Sequence, residues 1–291
     1  MKPLVIIRCA AYNHEPYIRQ CLDGFVMQKT NFPFYAVVHE DASIDGTQAI
    51  LTEYAEKYPD IIRPIYEEVN VYQTNKPRFC EIMDKACQGA KYVAMCEGDD
   101  YWFDPYKLQK QVDYMESHPD CSCYAHNSLI LNTQTRAIGL FNKQLLDVQD
   151  YPLETFFAPG WFTPTQSLLY RQSDYQLFDD MPRFMHGDYS LLVNVLLKRG
   201  TYLHYDNQIM SVYRDGGWAS SHYKELDLFN DFIALLEYYK EKSNHRCDAV
   251  FDEQILIQQR DKEQYLKRIK DESKTPSLYK RIKRWLRKQM K

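Results

Sequence analysis

Glu97-Gly98-Asp99-Asp100 sets three carboxylates within four positions, directly after the apolar run Tyr92 to Cys96. Like charges this close repel and raise one another's pKa unless a cation neutralises them, and hard oxygen ligands suit Mg2+ or Mn2+. A divalent ion that also grips a diphosphate resolves the repulsion. The alternative is a solvated acidic turn, with Asp104-Pro105 opening the next helix. A second acidic pair, Glu40-Asp41, follows another apolar run, and Asp41 could accept a hydrogen bond from a base ring. Tyr12 offers an aromatic face on which a planar base could stack, although taken singly it reads as readily as a loop aromatic in a chain with 24 tyrosines. Asp45-Gly46-Thr47 reads as a turn and helix start.

These clusters need elements to carry them. Val5 to Cys9 is a short apolar run that meets the polar Tyr12-Asn13-His14-Glu15-Pro16, which marks a buried strand ending in a loop. Ile18, Cys21, Leu22, Phe25 and Val26 recur at helical spacing. A strand over Phe34 to Val38, a helix from Gln48 to Tyr58, a strand over Ile61 to Tyr66, a helix over Phe79 to Ala86 and a strand over Tyr92 to Cys96 complete the cycle. The alternation predicts an α/β fold with a mainly parallel central sheet flanked by helices. Ligands of such sheets sit beyond the carboxyl ends of strands, so the polar clusters should converge on one crevice. Downstream, a helix over Lys107 to Ser117, strands near Ser128 to Leu131 and Ser167 to Tyr170, a helix over Tyr189 to Lys198, and extended segments at Tyr202 to Tyr205 and Met210 to Tyr213 are expected.

A length of 291 residues, with 45% apolar and 26% charged residues, fits an ordinary globular protein. No run approaches the roughly 20 apolar residues of a membrane-spanning helix, and the opening residues lack a signal-peptide pattern. The expectation is a cytoplasmic protein. Eight scattered cysteines read as reduced core thiols; Cys121-Ser122-Cys123 could supply two metal thiolates, but two further ligands at a recognisable spacing are not evident. No Gly-x-Gly-x-x-Gly follows a strand and no Gly-x-x-x-x-Gly-Lys occurs, which disfavours a dehydrogenase and a P-loop hydrolase. A nucleotidyltransferase would want a Gly-rich, Arg-containing loop where Ala10-Ala11-Tyr12-Asn13 stands.

In order along the chain, Cys9-Ala10-Ala11-Tyr12-Asn13, Glu40-Asp41-Ala42-Ser43-Ile44-Asp45-Gly46-Thr47, Glu97-Gly98-Asp99-Asp100 with Pro105, and Gly187-Asp188 opening a helix that ends Leu197-Lys198-Arg199-Gly200 resemble the family 2 glycosyltransferases, which have the glycosyltransferase type A fold. The resemblance covers roughly residues 3 to 220. It implies that Tyr12 and Asp41 hold the nucleobase, usually uracil, and that Asp99 and Asp100 serve the ribose, diphosphate and metal. Glu97 with Asp99 stands at the family's Asp-x-Asp, so Glu97, Asp99 and Asp100 are the implied metal ligands, for Mn2+ or Mg2+. Arg78 is a candidate contact to nucleotide or phosphate, or else an exposed arginine at a helix start. Family members of this type invert the anomeric centre in one displacement. Asp188 matches the base position, against the plainer reading of a helix cap, with His186 as a second candidate. Relatives often carry a His after a Tyr-Arg pair; here Tyr213-Arg214 leads into Asp215, the candidate replacement.

The resemblance implies transfer from a nucleotide sugar, with a UDP-sugar favoured, to a hydroxyl on a glycan or lipid-linked acceptor in cell-surface polysaccharide synthesis. A non-catalytic glycan- or membrane-binding module on a degenerate transferase fold is the alternative. Trp102, Trp161 and Trp218 are aromatic faces for sugars, Trp161 in an acceptor-facing loop; each reads equally as packing. Residues 1–220 form the expected catalytic domain and 221–291 a helical extension. In the last 16 residues, 276–291, Leu278, Tyr279, Ile282, Trp285, Leu286 and Met290 fall on one helical face ringed by Lys and Arg. That is a basic amphipathic helix suited to an anionic membrane surface, or to docking on its own domain, an oligomer contact or a nucleic-acid patch; no nucleic-acid partner is expected.

Overall fold

Val5, Ile6 and Ile7 are all fully buried, so the first strand is covered on both faces, as in the interior of a parallel sheet. The computed structural model describes residues 2–216 and 224–274. The chain runs β1 (Val5–Ala11), α1 (Ile18–Val26), β2 (Phe34–Glu40), α2 (Thr47–Lys57), β3 (Ile62–Tyr66), α3 (Val71–Thr74), α4 (Lys76–Ala86) and β4 (Tyr92–Met95). It continues through β5 (Tyr101–Trp102), α5 (Lys107–Ser117), β6 (Cys121–Asn132), β7 (Ile138–Leu140), β8 (Asp150–Tyr151), α6 (Leu153–Phe156), β9 (Leu169–Arg171), α7 (Gly187–Leu196) and β10 (Tyr202–Asp215).

One sheet takes the ten strands found among the described residues, in the order β3-β2-β1-β4-β9-β6-β10-β5, with β7 beside β6 and β8 beside β10. The long strands β1, β2, β3, β4, β6 and β10 share one direction, while the short β5, β7, β8 and β9 oppose it. The sheet is therefore mixed and largely parallel, flanked by helices as the sequence predicts. Alternation along β1 sorts its side chains: Val5, Ile7, Cys9 and Ala11 join the core built with α1, α2 and α5. Ala10, on the opposite face, packs against the smaller cluster of Val71, Phe79 and Met83 from α3 and α4.

Two departures from the sequence reading have physical causes. The segments expected at Tyr202–Tyr205 and Met210–Tyr213 are one strand, because β10 bulges between Asp206 and Ile209, where polar Asp206-Asn207-Gln208 breaks the apolar pattern, and then re-pairs with β6. β6 begins seven residues earlier than expected, at Cys121. Cys121 and Cys123 are buried in it and free, so they read as core thiols.

The chain divides into two compact units, Met1–Tyr223 and Lys224–Lys291. In the second, helices Glu225–Lys242 and Asp248–Lys274 pack on each other, with the Phe229 and Tyr265 rings 5.9 Å apart. The basic segment 276–291, and Trp218, lie outside the described residues. Among the described residues no helix is long and apolar enough to cross a membrane.

Trp102 is core rather than a sugar platform: it is 1% exposed, donates Nε1–H to the Gln166 carbonyl at 2.8 Å, and meets the Phe25 ring edge-on at 5.1 Å. Gly24 of α1 lets β5 come this close, since a Cβ there would stand 2.8 Å from the Trp102 carbonyl oxygen. Alanine in a helix interior is normally worth about 1 kcal/mol over glycine, yet overpacking against backbone costs about 1–3 kcal/mol. Gly24→Ala is therefore expected to lower the melting temperature; a rise would show that α1 and β5 can part without penalty.

Candidate active site

From β1 the chain steps outward to β2 and β3 and then returns to β4 on the other side of β1. This reversal is a topological switch point, where loops leaving two neighbouring parallel strands diverge and leave a crevice. A cavity of about 720 Å³ opens there, and Tyr12, Asp41, Glu97, Asp99, Asp100 and Asp188 all line it. Acidic groups 147 residues apart in sequence thus face one space.

The loops after β1 and β2 are tied together by their own polar side chains. Asn13 N–H donates to Ser43 Oγ at 3.0 Å and Ile44 N–H to Asn13 Oδ1 at 2.9 Å. His14 N–H donates to Thr47 Oγ1 at 2.8 Å, Glu15 N–H to Asp45 Oδ2 at 3.1 Å, and Gly46 N–H to Glu15 Oε2 at 2.8 Å. Asp45 also accepts from Thr47 N–H at 3.0 Å, so this stretch is the turn its composition indicates. Asp41, 3% exposed, accepts Val71 N–H at 2.6 Å and Tyr72 N–H at 2.9 Å, one on each carboxylate oxygen. Each oxygen has two lone pairs, so one acceptor site per oxygen is left for a ligand.

The acidic loop after β4 is pressed against β1. Gly98 N–H donates to the Ala10 carbonyl at 2.9 Å, and a Cβ on Gly98 would stand 2.8 Å from His14 Nδ1 and 3.1 Å from the Ala10 oxygen. Asp99, like Glu97, is half-buried, its Oδ2 lying 3.9 Å from His14 Nε2. Burial holds His14 below its ordinary pKa despite that neighbour. Asp100 is buried, and its Oδ1 accepts Arg214 N–H at 2.7 Å. Arg214 in turn donates from its guanidinium to the Asp99 carbonyl and to Gln20 Oε1. Burial first, and the charge of Asp99 second, push Asp100 well above the aspartate range and Glu97 up to about 7.

Among the described residues no three His, Cys, Asp or Glu side chains converge into a metal cage. Glu97, Asp99 and Asp100, the three ligands the resemblance implies, all line the cavity, with Asp100 Oδ1 engaged by the β10 backbone. The donor set still fits a divalent ion held the way Mg2+ usually is, by one or two carboxylates plus substrate phosphates; the raised pKa values of Glu97 and Asp100 mark a local deficit of positive charge.

Asp188 is partly buried in the first turn of α7, and its Oδ1 accepts Tyr189 N–H at 2.9 Å. Burial raises its pKa, partly opposed by that hydrogen bond and by His186. His186 is not among the cavity residues. Arg78 is not among them either: Asn75 Oδ1 caps α4 by accepting Arg78 N–H at 3.2 Å, and in the first turn the exposed side of the helix falls at Arg78 while Phe79 is buried. The cations that line the cavity are Arg8, Lys76, Arg183 and Arg214, none of which sequence reasoning picked as a contact. Asp215 is likewise elsewhere, accepting from Asn132 Nδ2 at 3.2 Å. Trp161 packs on Tyr189 with ring centroids 4.3 Å apart and does not line the cavity.

A largely parallel sheet whose acidic strand ends meet a helix start around one cleft at the switch point is the glycosyltransferase type A architecture. The chain belongs to glycosyl transferase family 2, whose profile residues 6–171 match. An uncharacterized protein of Mycobacterium tuberculosis is 37% identical over 172 residues, 59% of this chain and 47% of that protein. The chain spans about half the length of the curated relatives it matches. Residues 1–349 of S. aureus TarS in complex with UDP-GlcNAc give a TM-score of 0.59 at 18% identity, covering 81% of this chain and 66% of that one. The mannosyltransferase PcManGT from Pyrobaculum calidifontis, in complex with GDP-Man and Mn2+, gives 0.57 at 14% identity, covering 83% and 65%. At these identities the two structures establish the fold.

Glu97 makes the electrostatics measurable. Its folded-state pKa of about 7 lies above the ordinary 4.5, so the folded protein keeps a proton that the unfolded chain releases. That contribution to stability is complete below pH 4.5 and is lost as pH rises through about 7. In metal-free buffer Glu97→Gln should therefore gain on the wild type across this window, by up to about 3 kcal/mol in urea unfolding. Parallel stability curves would mean that Glu97 ionises like a surface glutamate.

Proposed function

We propose that the protein transfers a glycosyl group, with inversion, from a nucleotide-diphosphate sugar to a hydroxyl acceptor. The observation that carries this reading is the convergence of Tyr12, Asp41, Asp99 and Asp188 on one cavity at the switch point. Tyr12 offers its ring to the base and Asp41 its remaining lone pairs to a base N–H; the family resemblance favours uracil and a UDP-sugar. Asp99 and Glu97, with Asp100, would hold Mn2+ or Mg2+, and Asp100 also fixes the loop to Arg214. A divalent ion bound there would neutralise charge that develops on the leaving diphosphate. That TarS is bound to UDP-GlcNAc and the archaeal mannosyltransferase to GDP-Man and Mn2+ supports a nucleotide-sugar donor and a metal.

Asp188 takes the proton of the acceptor hydroxyl as that oxygen attacks the anomeric carbon from the face opposite the leaving group. Burial makes it a stronger base than a surface aspartate, while Tyr189 N–H keeps its carboxylate oriented. The acceptor is a glycan or a lipid-linked glycan, and 276–291 would bring the enzyme to an anionic cytoplasmic membrane surface.

The deciding assay is metal-dependent release of UDP from a panel of UDP-sugars. Binding without turnover would instead support the non-catalytic module. Asp188→Asn should lower kcat by about 10²–10⁴ and leave the UDP affinity within about twofold; an active variant removes Asp188 as the base. Asp99→Asn should abolish the part of UDP affinity that depends on Mn2+ in calorimetry, and an unchanged metal dependence would move the ion elsewhere. Deleting 276–291 should release the protein from phosphatidylserine vesicles, and unaltered co-sedimentation would exclude the tail as the anchor.

A further inference from the structure

Arg8 sits inside β1, on the same face as Ala10 and Tyr12, and lines the floor of the cavity. Its side chain is 14% exposed. Among the described residues its guanidinium makes no hydrogen bond; its ion-pair partner is Asp84 of α4, at 3.9 Å, beyond hydrogen-bonding distance. The other well-buried arginines of this unit are built differently. Arg171 donates to Tyr92 Oη at 3.1 Å and to the carbonyls of Met115 and Cys121 at 3.0 and 3.2 Å. Arg214 has the Asp99 carbonyl and Gln20.

A guanidinium carries five N–H donors, and leaving them in a partly desolvated place without acceptors is unfavourable. Asp84 and Glu97 both bear on the charge of Arg8, but neither makes a hydrogen bond to it, and Arg183 also draws on Asp84. Arg183 has its own tie, to the Pro77 carbonyl at 3.4 Å. The cavity thus presents a guanidinium whose N–H donors are unfilled at a place where an entering group can reach it.

Position along the strand indicates which group. Arg8 lies four residues before Tyr12, roughly 13 Å deeper along an extended strand, and directly below the acidic loop, since Cys96 N–H donates to the Arg8 carbonyl at 3.1 Å. With the base at Tyr12 and the diphosphate at Asp99, a saccharide, not the nucleotide, comes within reach of Arg8. A planar guanidinium is matched by a planar carboxylate in a bidentate pair. We propose that Arg8 binds the carboxylate of an acidic sugar, so that one of the two saccharides handled here is a uronic acid. The inference rests on the transferase reading above.

Two comparisons test it and separate donor from acceptor. UDP-glucuronate is compared with UDP-glucose for binding and UDP release, and free glucuronate with glucose is titrated into the enzyme with UDP and Mn2+ bound. The wild type should prefer the acid by about tenfold or more in one arm, the size expected for a charge-assisted hydrogen bond. Arg8→Met should erase that preference with UDP affinity unchanged, and Arg8→Lys, which keeps charge but loses the fork, should retain part of it; melting curves report whether each variant folds. UDP binding without acid preference in either wild-type arm overturns the role of Arg8 and leaves the transferase reading standing, with no variant needed. A preference that survives Arg8→Met overturns it too, and failure to bind UDP at all removes both.

Discussion

Three acidic side chains have to coexist where the interior of the sheet opens into the cleft after β4, and much of the surrounding structure answers to their mutual repulsion. In such a place a carboxylate loses solvation and meets a like charge at once, and both effects favour the protonated form. The chain separates the three rather than letting them compete. Asp100 is withdrawn to the backbone of β10, while Glu97 and Asp99 are both left half-buried on the cavity wall. Arg214 makes the separation rigid, because it holds the Asp99 carbonyl and, through its own N–H, the Asp100 carboxylate, while its guanidinium lies over the rings of Tyr17 and Tyr101 at 4.9 and 4.6 Å.

The side of the cleft formed by the loops after β1 and β2 is organised by a different means. There the loops after β1 and β2 are cross-linked by side chains that accept backbone N–H groups, so their geometry does not depend on a ligand. Asn13 and Ala42 adopt left-handed backbone, with φ of 55° and 59°. For Asn this is a modest penalty, for Ala a larger one, and the hydrogen bonds of Ser43, Asp45 and Glu15 hold the strained path in place. Asp41 extends the same scheme to α3, whose first amides it accepts. A preformed wall of this kind reduces the ordering that a bound nucleotide would otherwise have to bring about.

Much of this was legible in the sequence where one signal dominates. β1 to β4 are short apolar runs followed by polar loops, the helices between them have clean periodicity, and carboxylates at strand ends stand out, which is why Tyr12, Asp41, Asp99 and Asp188 all appear in the cavity. The reading weakened wherever the answer depended on pairing at a distance. β10 looked like two strands because its bulge is polar, and β5, β7 and β8 are two or three residues long, too short for any period. Arg78 lies outside the cavity lining, and the sequence leaves its two readings open because a helix start shows which residues precede it but not which side the cleft is on. Arg8 and Arg214 were passed over for the opposite reason: each is a single cation inside an otherwise extended, largely apolar segment, and only the partners across the sheet reveal what it does.

These two arginines also bear on how the three carboxylates could hold a metal. A tally of Glu97, Asp99 and Asp100 suggests three ligands, yet a carboxylate already satisfied by protein donors has little to gain from displacing them, and one beside a buried guanidinium is partly neutralised where it stands. Arg214 acts on Asp100 in the first way, and Arg8 acts on Glu97 in the second, lowering the pKa that burial and Asp99 raise. Glu97 and Asp99, both half-buried, are left facing the cavity. An ion there would be held firmly only when a second set of oxygens arrives with the substrate, which makes metal affinity and donor affinity mutually dependent by linkage.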